Sequence, residues 1–297
     1  MPNFKAWISA ARLRTLPLSV SGIIVGSSLA MKHLFWQSSI FWLAILTTIG
    51  FQVLSNFAND YGDGIKGADD NREGEQRMVS SGLISPKQMK MGILITAIFS
   101  MISAIVLIYY AFGAEDFLHS LLFFILGIAS VIAALKYTIG KNAYGYSGLG
   151  DVFVFLFFGL LSVLGSYYLL DHQMVWDLLL PASTIGFLSM AVLNLNNMRD
   201  IENDAKNNKN TLVVSLGSSK AKIYHYVLIS LAVLLTLLYS IINDHSIRQL
   251  IYVIAFLPLI INLVTVYKNK EPKLLDSELK KVALSTFSFA LLFGFFH

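Results

Sequence analysis

The stretch Leu43-Ala-Ile-Leu-Thr-Thr-Ile-Gly-Phe-Gln-Val-Leu-Ser-Asn56-Phe-Ala-Asn-Asp60-Tyr-Gly-Asp63 runs from residues suited to lipid directly into amides and carboxylates. If one helix carries through it, Asn56, Asp60 and Asp63 fall at i, i+4 and i+7, on one face. A partner, Asn196-Asn-Met-Arg-Asp200-Ile-Glu-Asn-Asp204, closes a second apolar run, with Asn196, Asp200 and Asp204 at i, i+4 and i+8. A charge at the edge of hydrocarbon is expensive and needs a partner. A divalent cation supplies one, and Asp and Asn oxygens suit Mg²⁺, which takes one or two carboxylates and leaves room for substrate phosphates. Either motif alone also fits a polar loop just outside a bilayer. Two of them, each at the end of an apolar run and each with Asn four residues before its Asp, favour a metal site.

Working outward, the 297 residues are 56% hydrophobic and 13% charged, and mean hydropathy is +0.65. This is outside the soluble range and predicts an integral membrane protein. Apolar runs recur at Leu16 to Met31, Leu34 to Ala58, Met91 to Gly113, Phe117 to Leu135 and Val152 to Leu170. They continue at Leu178 to Met198, Ile223 to Asn243, Gln249 to Tyr267 and Val282 to Phe296. Most approach the roughly 20 residues that a bilayer requires, so the fold expected is an all-α polytopic bundle of nine spans in a single domain, 1-297. Continuous apolar runs, without alternation, exclude a β-barrel. Arg12 and Arg14 precede a run with no small-residue cleavage site, so no cleaved leader is expected. The two motifs each end a span running in the same direction, which suggests two similar helical bundles facing one cavity.

With nine spans, the amino terminus and alternate loops share one side. All of the 22 Lys and Arg residues except Lys32 and Arg248 fall there. That asymmetry predicts a cytoplasmic amino terminus, cytoplasmic motifs and an outer carboxyl terminus. The net charge of +4 and the pI near 9.1 follow from this bias and from anionic lipid, so no nucleic-acid partner is expected. Absence of cysteine removes disulfides and thiolate chemistry.

Other polar residues gather on the motif side. Residues 4–17 read as an interfacial helix, with Trp7 as a belt residue and Arg12 and Arg14 as anchors; Arg14 is also within reach of an anion between helices. The Gly-rich acidic stretch 62–77 reads as a loop able to close over a metal site, with Arg72 and Arg77 either binding phosphate or balancing its acids. Ser85-Pro86 reads as a helix start. Lys136-Tyr-Thr-Ile-Gly-Lys141-Asn-Ala-Tyr144-Gly-Tyr146 follows span 4. Lys141 suits a diphosphate, while Tyr137, Tyr144 and Tyr146 either face a cation or belong to the interfacial belt. Lys206 and Lys209 add positive charge beside the second motif. Spans 7 to 9 read as wall and scaffold around an apolar cavity.

Acidic helix ends with Mg²⁺, nearby cations and a greasy interior suit a substrate with a diphosphate head and a long hydrocarbon tail. Metal neutralisation of the leaving diphosphate eases cleavage of an allylic C–O bond, and a dry aromatic pocket keeps the resulting cation from water. At this point the motif pair resembles that of the UbiA superfamily of intramembrane aromatic prenyltransferases. Arg14-Thr-Leu-Pro17, Asn56 to Asp63, Tyr144 to Asp151 followed by Phe-Val-Phe-Leu-Phe-Phe-Gly159, and Asn196 to Asp200 with Lys209-Asn-Thr-Leu212 are similar to blocks of the MenA-type 1,4-dihydroxy-2-naphthoate polyprenyltransferases.

The resemblance implies a nine-helix bundle with a central cavity, and a Mg²⁺-dependent enzyme of menaquinone synthesis. Its substrates would be polyprenyl diphosphate and 1,4-dihydroxy-2-naphthoate, and the carboxylate would be lost to give demethylmenaquinone. It further implies Asn56, Asp60, Asp63, Asn196, Asp200 and Asp204 as metal and diphosphate positions, with Asp60 and Asp200 central to catalysis. Arg77, Lys141 and Lys209 would hold diphosphate, with Arg72 and Arg14 in support, and Tyr137 and Tyr144 would line the reacting allyl group. Asp63 lies three residues after Asp60, where many superfamily members space four, so Asp63 is expected to bind metal less directly than Asp60. Another aromatic acceptor such as 4-hydroxybenzoate fits the same machinery. A cation-coupled transporter is the remote alternative, disfavoured because the polar residues gather at helix ends and not at mid-span.

Overall fold

The computed structural model describes residues 4–67 and 76–297, and among them every regular element is helical. The helices are α1 (Phe4–Ala11), α2 (Leu16–Met31), α3 (Ser39–Ile65), α4 (Pro86–Phe112), α5 (Phe117–Lys136), α6 (Gly150–Val154), α7 (Ser162–Asp171), α8 (Leu179–Arg199), α9 (Ile201–Lys206), α10 (Leu212–Ile242), α11 (Leu257–Lys268) and α12 (Asp276–Phe296). A π-helical stretch, Phe155–Leu161, joins α6 to α7, and a 3₁₀ stretch, Gln249–Phe256, leads into α11. Nine segments among the described residues are long and apolar enough to cross a membrane, as the hydropathy pattern predicts. Only helices of this kind satisfy their own backbone groups in lipid.

The helices extend past the apolar runs at the polar end of the bundle: α3 reaches Ile65, α10 begins at Leu212 and α12 at Asp276. Caps account for several of these starts. Ser85 forms a reciprocal box with Gln88 ahead of Pro86, and the Thr211 hydroxyl accepts from Val214 N at 3.3 Å. Arg12 adopts left-handed backbone (φ 52), which separates α1 from α2. Trp7 of α1 packs edge-on against Phe57 of α3 at 5.4 Å, and Gly92 of α4 leaves room for the indole. The amino-terminal helix is thus docked on α3 and α4.

Small residues let the spans approach closely. A Cβ added at Gly26 of α2 would lie 2.1 Å from the Val163 carbonyl oxygen of α7, and one at Gly159 would lie 2.7 Å from Gly186 Cα of α8. The main core joins α2, α7, α8, α10, α11 and α12 around Phe35, Tyr252, Phe289 and Phe293. Within it His225, Asn262 and Glu278 form a buried polar tie between α10, α11 and α12, with links of 2.7 and 2.8 Å. A second cluster packs α1, α3 and α4 against Met78, Val79 and Ile84. Outward-facing side chains such as Ile95, Phe99 and Ile102 are exposed and apolar, as a lipid-facing surface requires.

Candidate active site

A cavity of about 330 Å³ opens between α2, α3, α5, α6, α8 and α12. Phe51, Phe153, Phe157 and Leu193 line its apolar part, while Asn56, Asn59, Asp63, Arg77, Asn196 and Lys209 line its polar end. The two motifs meet there. Lys209 Nζ lies 3.6 Å from an Asp63 oxygen and 3.7 Å from an Asp204 oxygen, so one ammonium sits between carboxylates from the two halves of the chain.

On α3 the helix runs unbroken through the first motif, as its spacing predicts. Its cavity face carries Gln52, Asn56, Asn59 and Asp63. These positions, spaced 4, 3 and 4, share one stripe of a 3.6-residue helix. Asp63 accepts from the Tyr146 hydroxyl at 2.8 Å and pairs with Arg77 Nη2 at 3.8 Å. Asn56 donates to the Ala11 carbonyl at 2.8 Å, tying α1 to α3. Asp60 stands differently from the sequence expectation: it is 1% exposed and does not line the cavity, and its two oxygens accept from Met78 N and Val79 N, each at 2.9 Å.

The second motif is not one helix. Asp200 leaves helical backbone (φ −95, ψ 8), α8 stops at Arg199 and α9 starts at Ile201. The break lets the buried Arg199 fork onto Asp200, with Nε and an Nη at 2.7 and 2.8 Å, while also donating to Asn196 Oδ1 at 2.8 Å and to Asp276 of α12. Asn196 lines the cavity and Asp200 does not; Asp204 is buried and faces Lys209. The backbone turn after α9, with Lys209 N donating to the Asp204 carbonyl at 2.9 Å, returns the lysine towards the acids.

Tyr137 and Tyr144 both line the cavity, edge to face at 5.3 Å, and Tyr144 stacks on Phe153 at 3.9 Å. The Tyr144 hydroxyl donates to the Ala133 carbonyl at 2.8 Å, and burial pushes its pKa well above the ordinary phenol value. It is a neutral wall residue. Lys141 is exposed and outside the cavity lining. Arg14 lines the cavity and pairs with Asp276 at 3.6 Å. Arg77 is buried at the cavity, and Arg72 lies outside the described residues.

Two participants, Asn59 and Lys66, escaped the sequence reading. Asn59 is the cavity-facing neighbour of Asp60, detectable from its place three residues after Asn56 and four before Asp63. Tyr146, expected to face a cation or to belong to the belt, donates to Asp63. Lys66 lies 3.8 Å from the Tyr146 ring centroid and donates to the Thr138 carbonyl at 2.7 Å. Burial lowers its pKa, with Asp63 pulling the other way. Nothing in local sequence marks it above Lys141.

The donor set fits Mg²⁺. A cation, the Lys209 ammonium, already sits between Asp63 and Asp204, and Asn56, Asn59 and Asn196 place amide oxygens or nitrogens at the same polar end. Among the described residues no three His, Cys, Asp or Glu side chains converge as a closed metal cage.

The profile of the UbiA prenyltransferase family matches residues 19–291. A 1,4-dihydroxy-2-naphthoate octaprenyltransferase of Haemophilus influenzae is 40% identical, over 98% of this chain and 95% of its own length. The Escherichia coli protein of that name is 42% identical, over 84% and 81%. Among solved structures, a UbiA homolog from Archaeoglobus fulgidus bound to GPP and Mg²⁺ superposes with a TM-score of 0.65 at 15% identity, covering 97% of this chain and 99% of that one. A digeranylgeranylglyceryl phosphate synthase superposes at 0.60, with 18% identity and coverage of 100% and 99%. These likenesses, together with the paired motifs and the cavity between them, make this chain a member of the UbiA prenyltransferase family.

Proposed function

We propose that this protein transfers a polyprenyl group from polyprenyl diphosphate to 1,4-dihydroxy-2-naphthoate, with loss of the carboxylate as carbon dioxide, in menaquinone synthesis. The observation that carries it is the meeting of Asp63 and Asp204 around the Lys209 ammonium at the polar end of an aromatic cavity. Relatives bearing that activity in their names extend over most of the chain.

Asp63 and Asp204, with Asn56, Asn59 and Asn196, are the residues that would hold Mg²⁺, whose charge would neutralise the diphosphate and so ease breaking of the allylic C–O bond. Arg77 and Lys209 turn from their carboxylates to diphosphate oxygens, adding charge where the leaving group develops it. Arg199 keeps Asn196 oriented through its fork on Asp200. Tyr137, Tyr144, Phe153 and Phe157 present ring faces and edges to the allylic carbon, which favours positive charge and excludes water. The acceptor ring forms its bond to the prenyl carbon as diphosphate departs, and decarboxylation restores its aromaticity. The Lys and Arg bias supports a cytoplasmic polar end, with the amino terminus inside and the carboxyl terminus outside.

The test is turnover of purified protein in lipid with a polyprenyl diphosphate, either 1,4-dihydroxy-2-naphthoate or 4-hydroxybenzoate, and Mg²⁺ or EDTA. Mg²⁺-dependent prenylation of the naphthoate with release of carbon dioxide is expected. Prenylation of the benzoate alone would move the activity to another acceptor, and no transfer to either would remove it.

A further inference from the structure

The turn Tyr144-Gly-Tyr146 sends its two tyrosines to different places. Tyr144 lines the cavity, whereas Tyr146, two residues on, stands outside the lining and reaches the end of α3. Its hydroxyl donates to Asp63 Oδ1 at 2.8 Å. The other oxygen, Oδ2, is the one that faces the cations, with Lys209 Nζ at 3.6 Å and Arg77 Nη2 at 3.8 Å. The two oxygens of one carboxylate therefore have separate partners, and the phenol fixes which oxygen faces which way. A hydroxyl supplies that bond without adding a charge.

Tyr146 is tied to the opposite half of the site as well. Its carbonyl accepts from Asn210 N, the residue after Lys209, at 3.2 Å. Gly148, with a positive φ of 76°, lets the two loops approach: a Cβ there would lie 3.4 Å from the Asn210 carbonyl oxygen. The ring faces two ammoniums, Lys66 Nζ at 3.8 Å and Lys209 Nζ at 5.5 Å from its centroid. Both are within the reach of a cation–π attraction. Lys66 in turn donates to the Thr138 carbonyl at 2.7 Å, and the Thr138 hydroxyl donates to the Ala58 carbonyl at 2.9 Å. The loop that carries Tyr146 is thus fastened to α3 both before and after Asp63.

We propose that Tyr146 is a positioning residue of the cation site: it holds Asp63 by one oxygen, turns the other towards the cations, and keeps the Lys209 loop in register with both. Partners that orient a ligating carboxylate from outside tune metal affinity without touching the metal. Tyr146 lies outside the cavity lining, so it acts through Asp63 and Lys209. The choice of a diphosphate as probe rests on the prenyl-transfer function proposed above.

The experiment uses the full-length protein in detergent, with Mn²⁺ as a spectroscopic stand-in for Mg²⁺ and farnesyl thiodiphosphate, which keeps the diphosphate and resists cleavage. Tyr146→Phe preserves the ring and the backbone bond to Asn210 and removes only the hydroxyl. Electron paramagnetic resonance should show its Kd for Mn²⁺ raised about tenfold or more. Combining it with Asp63→Asn should raise the Kd no further than Asp63→Asn alone, because the hydroxyl acts through that carboxylate. Tyr146→Leu also removes the ring. Without metal or diphosphate, amide exchange across residues 207–211 should rise about threefold in the leucine variant and stay near the wild-type rate in the phenylalanine variant. Should the leucine variant fail to fold, the Mn²⁺ affinity of Tyr146→Phe decides by itself. Wild-type affinity in Tyr146→Phe, or unchanged exchange in a folded Tyr146→Leu, would overturn the proposal. So would a wild-type protein that binds no Mn²⁺ with the analogue. Mn²⁺ binding by wild type without prenylation of the naphthoate would strike the transfer function instead, and the comparison with Tyr146→Phe would still stand.

Discussion

Lys209 and Asp63 stand far apart in sequence and on different halves of the bundle, yet the lysine Nζ lies 3.6 Å from the aspartate Oδ2. The same ammonium is 3.7 Å from Asp204. One side chain thus screens two acids that would otherwise repel across a largely buried site.

Lys209→Met should therefore remove the cation that Asp63 and Asp204 share, while Arg77 stays on Asp63. We expect a loss of about 2 kcal/mol in stability without divalent cation, less than for a wholly buried pair because Lys209 keeps some exposure. Mg²⁺ should restore more of the unfolding temperature in the variant than it adds to wild type. Thermal unfolding with Mg²⁺ and with EDTA measures both; equal Mg²⁺ shifts would refute the shared site.

Asp63→Asn and Asp204→Asn keep shape and remove charge. Each should lower kcat/KM by at least about 100-fold, about 2.7 kcal/mol of transition-state stabilisation. Excess Mg²⁺ should recover part of the loss. Near-normal turnover in either variant would remove that residue from the cation site.

Tyr144 separates wall from acid. Tyr144→Phe keeps the stack on Phe153 and gives up only the bond to the Ala133 carbonyl, which still accepts from Tyr137 N. Turnover within a few-fold of wild type and a stability loss of about 1 kcal/mol are expected. Tyr144→Ala opens the wall and should lower kcat about tenfold or more through water entry. The wild-type pH–rate profile should carry no limb from this phenol below its ordinary pKa, since burial holds the proton on. A Tyr144→Phe variant as impaired as Tyr144→Ala would assign the hydroxyl a chemical role.

Arg199 forks onto Asp200 and reaches Asn196 and Asp276 from a buried position. A lysine has one ammonium and lacks the planar fork. Arg199→Lys should therefore fold but lower turnover about tenfold through a loosened Asn196. Arg199→Ala should cost about 3 kcal/mol by leaving Asp200 buried without its guanidinium. Turnover and chemical denaturation, read together, distinguish the two effects.

At the opposite end of the bundle, His245 and His297 lie with ring centroids 4.9 Å apart. Burial lowers both pKa values; that of His297 falls from 6.5 to about 4, with His245 and Lys32 adding to the effect. The unfolded chain then binds more protons than the folded one between these two values. Stability should be complete above about 6.5 and fall as pH drops towards about 4. His297→Gln should flatten that slope in thermal unfolding across pH 4 to 7; an unchanged slope would exclude the pair as its source.

The nine spans found among the described residues and the presence of two acidic helix ends were legible in the sequence. Each is a property of contiguous residues: hydropathy over a window, spacing along one helix. So was Ser85-Pro86 as a helix start, because a cap is satisfied within its own turn. The division of labour inside each motif was not legible. Asp60 and Asp63 satisfy the same helical spacing, and only the return of Met78 and Val79 against α3 gives the first a backbone clamp and leaves the second to the cavity. Likewise the break at Asp200 accompanies a buried Arg199 that reaches Asp200, Asn196 and Asp276 at once. Lys66 and Lys141 flank similar Gly-rich turns, yet one packs over Tyr146 beside the site and the other faces solvent. These outcomes depend on which surfaces meet when helices distant in sequence close around one cavity, and a hydrogen bond or ion pair across that gap leaves no periodic trace in either strand of sequence alone.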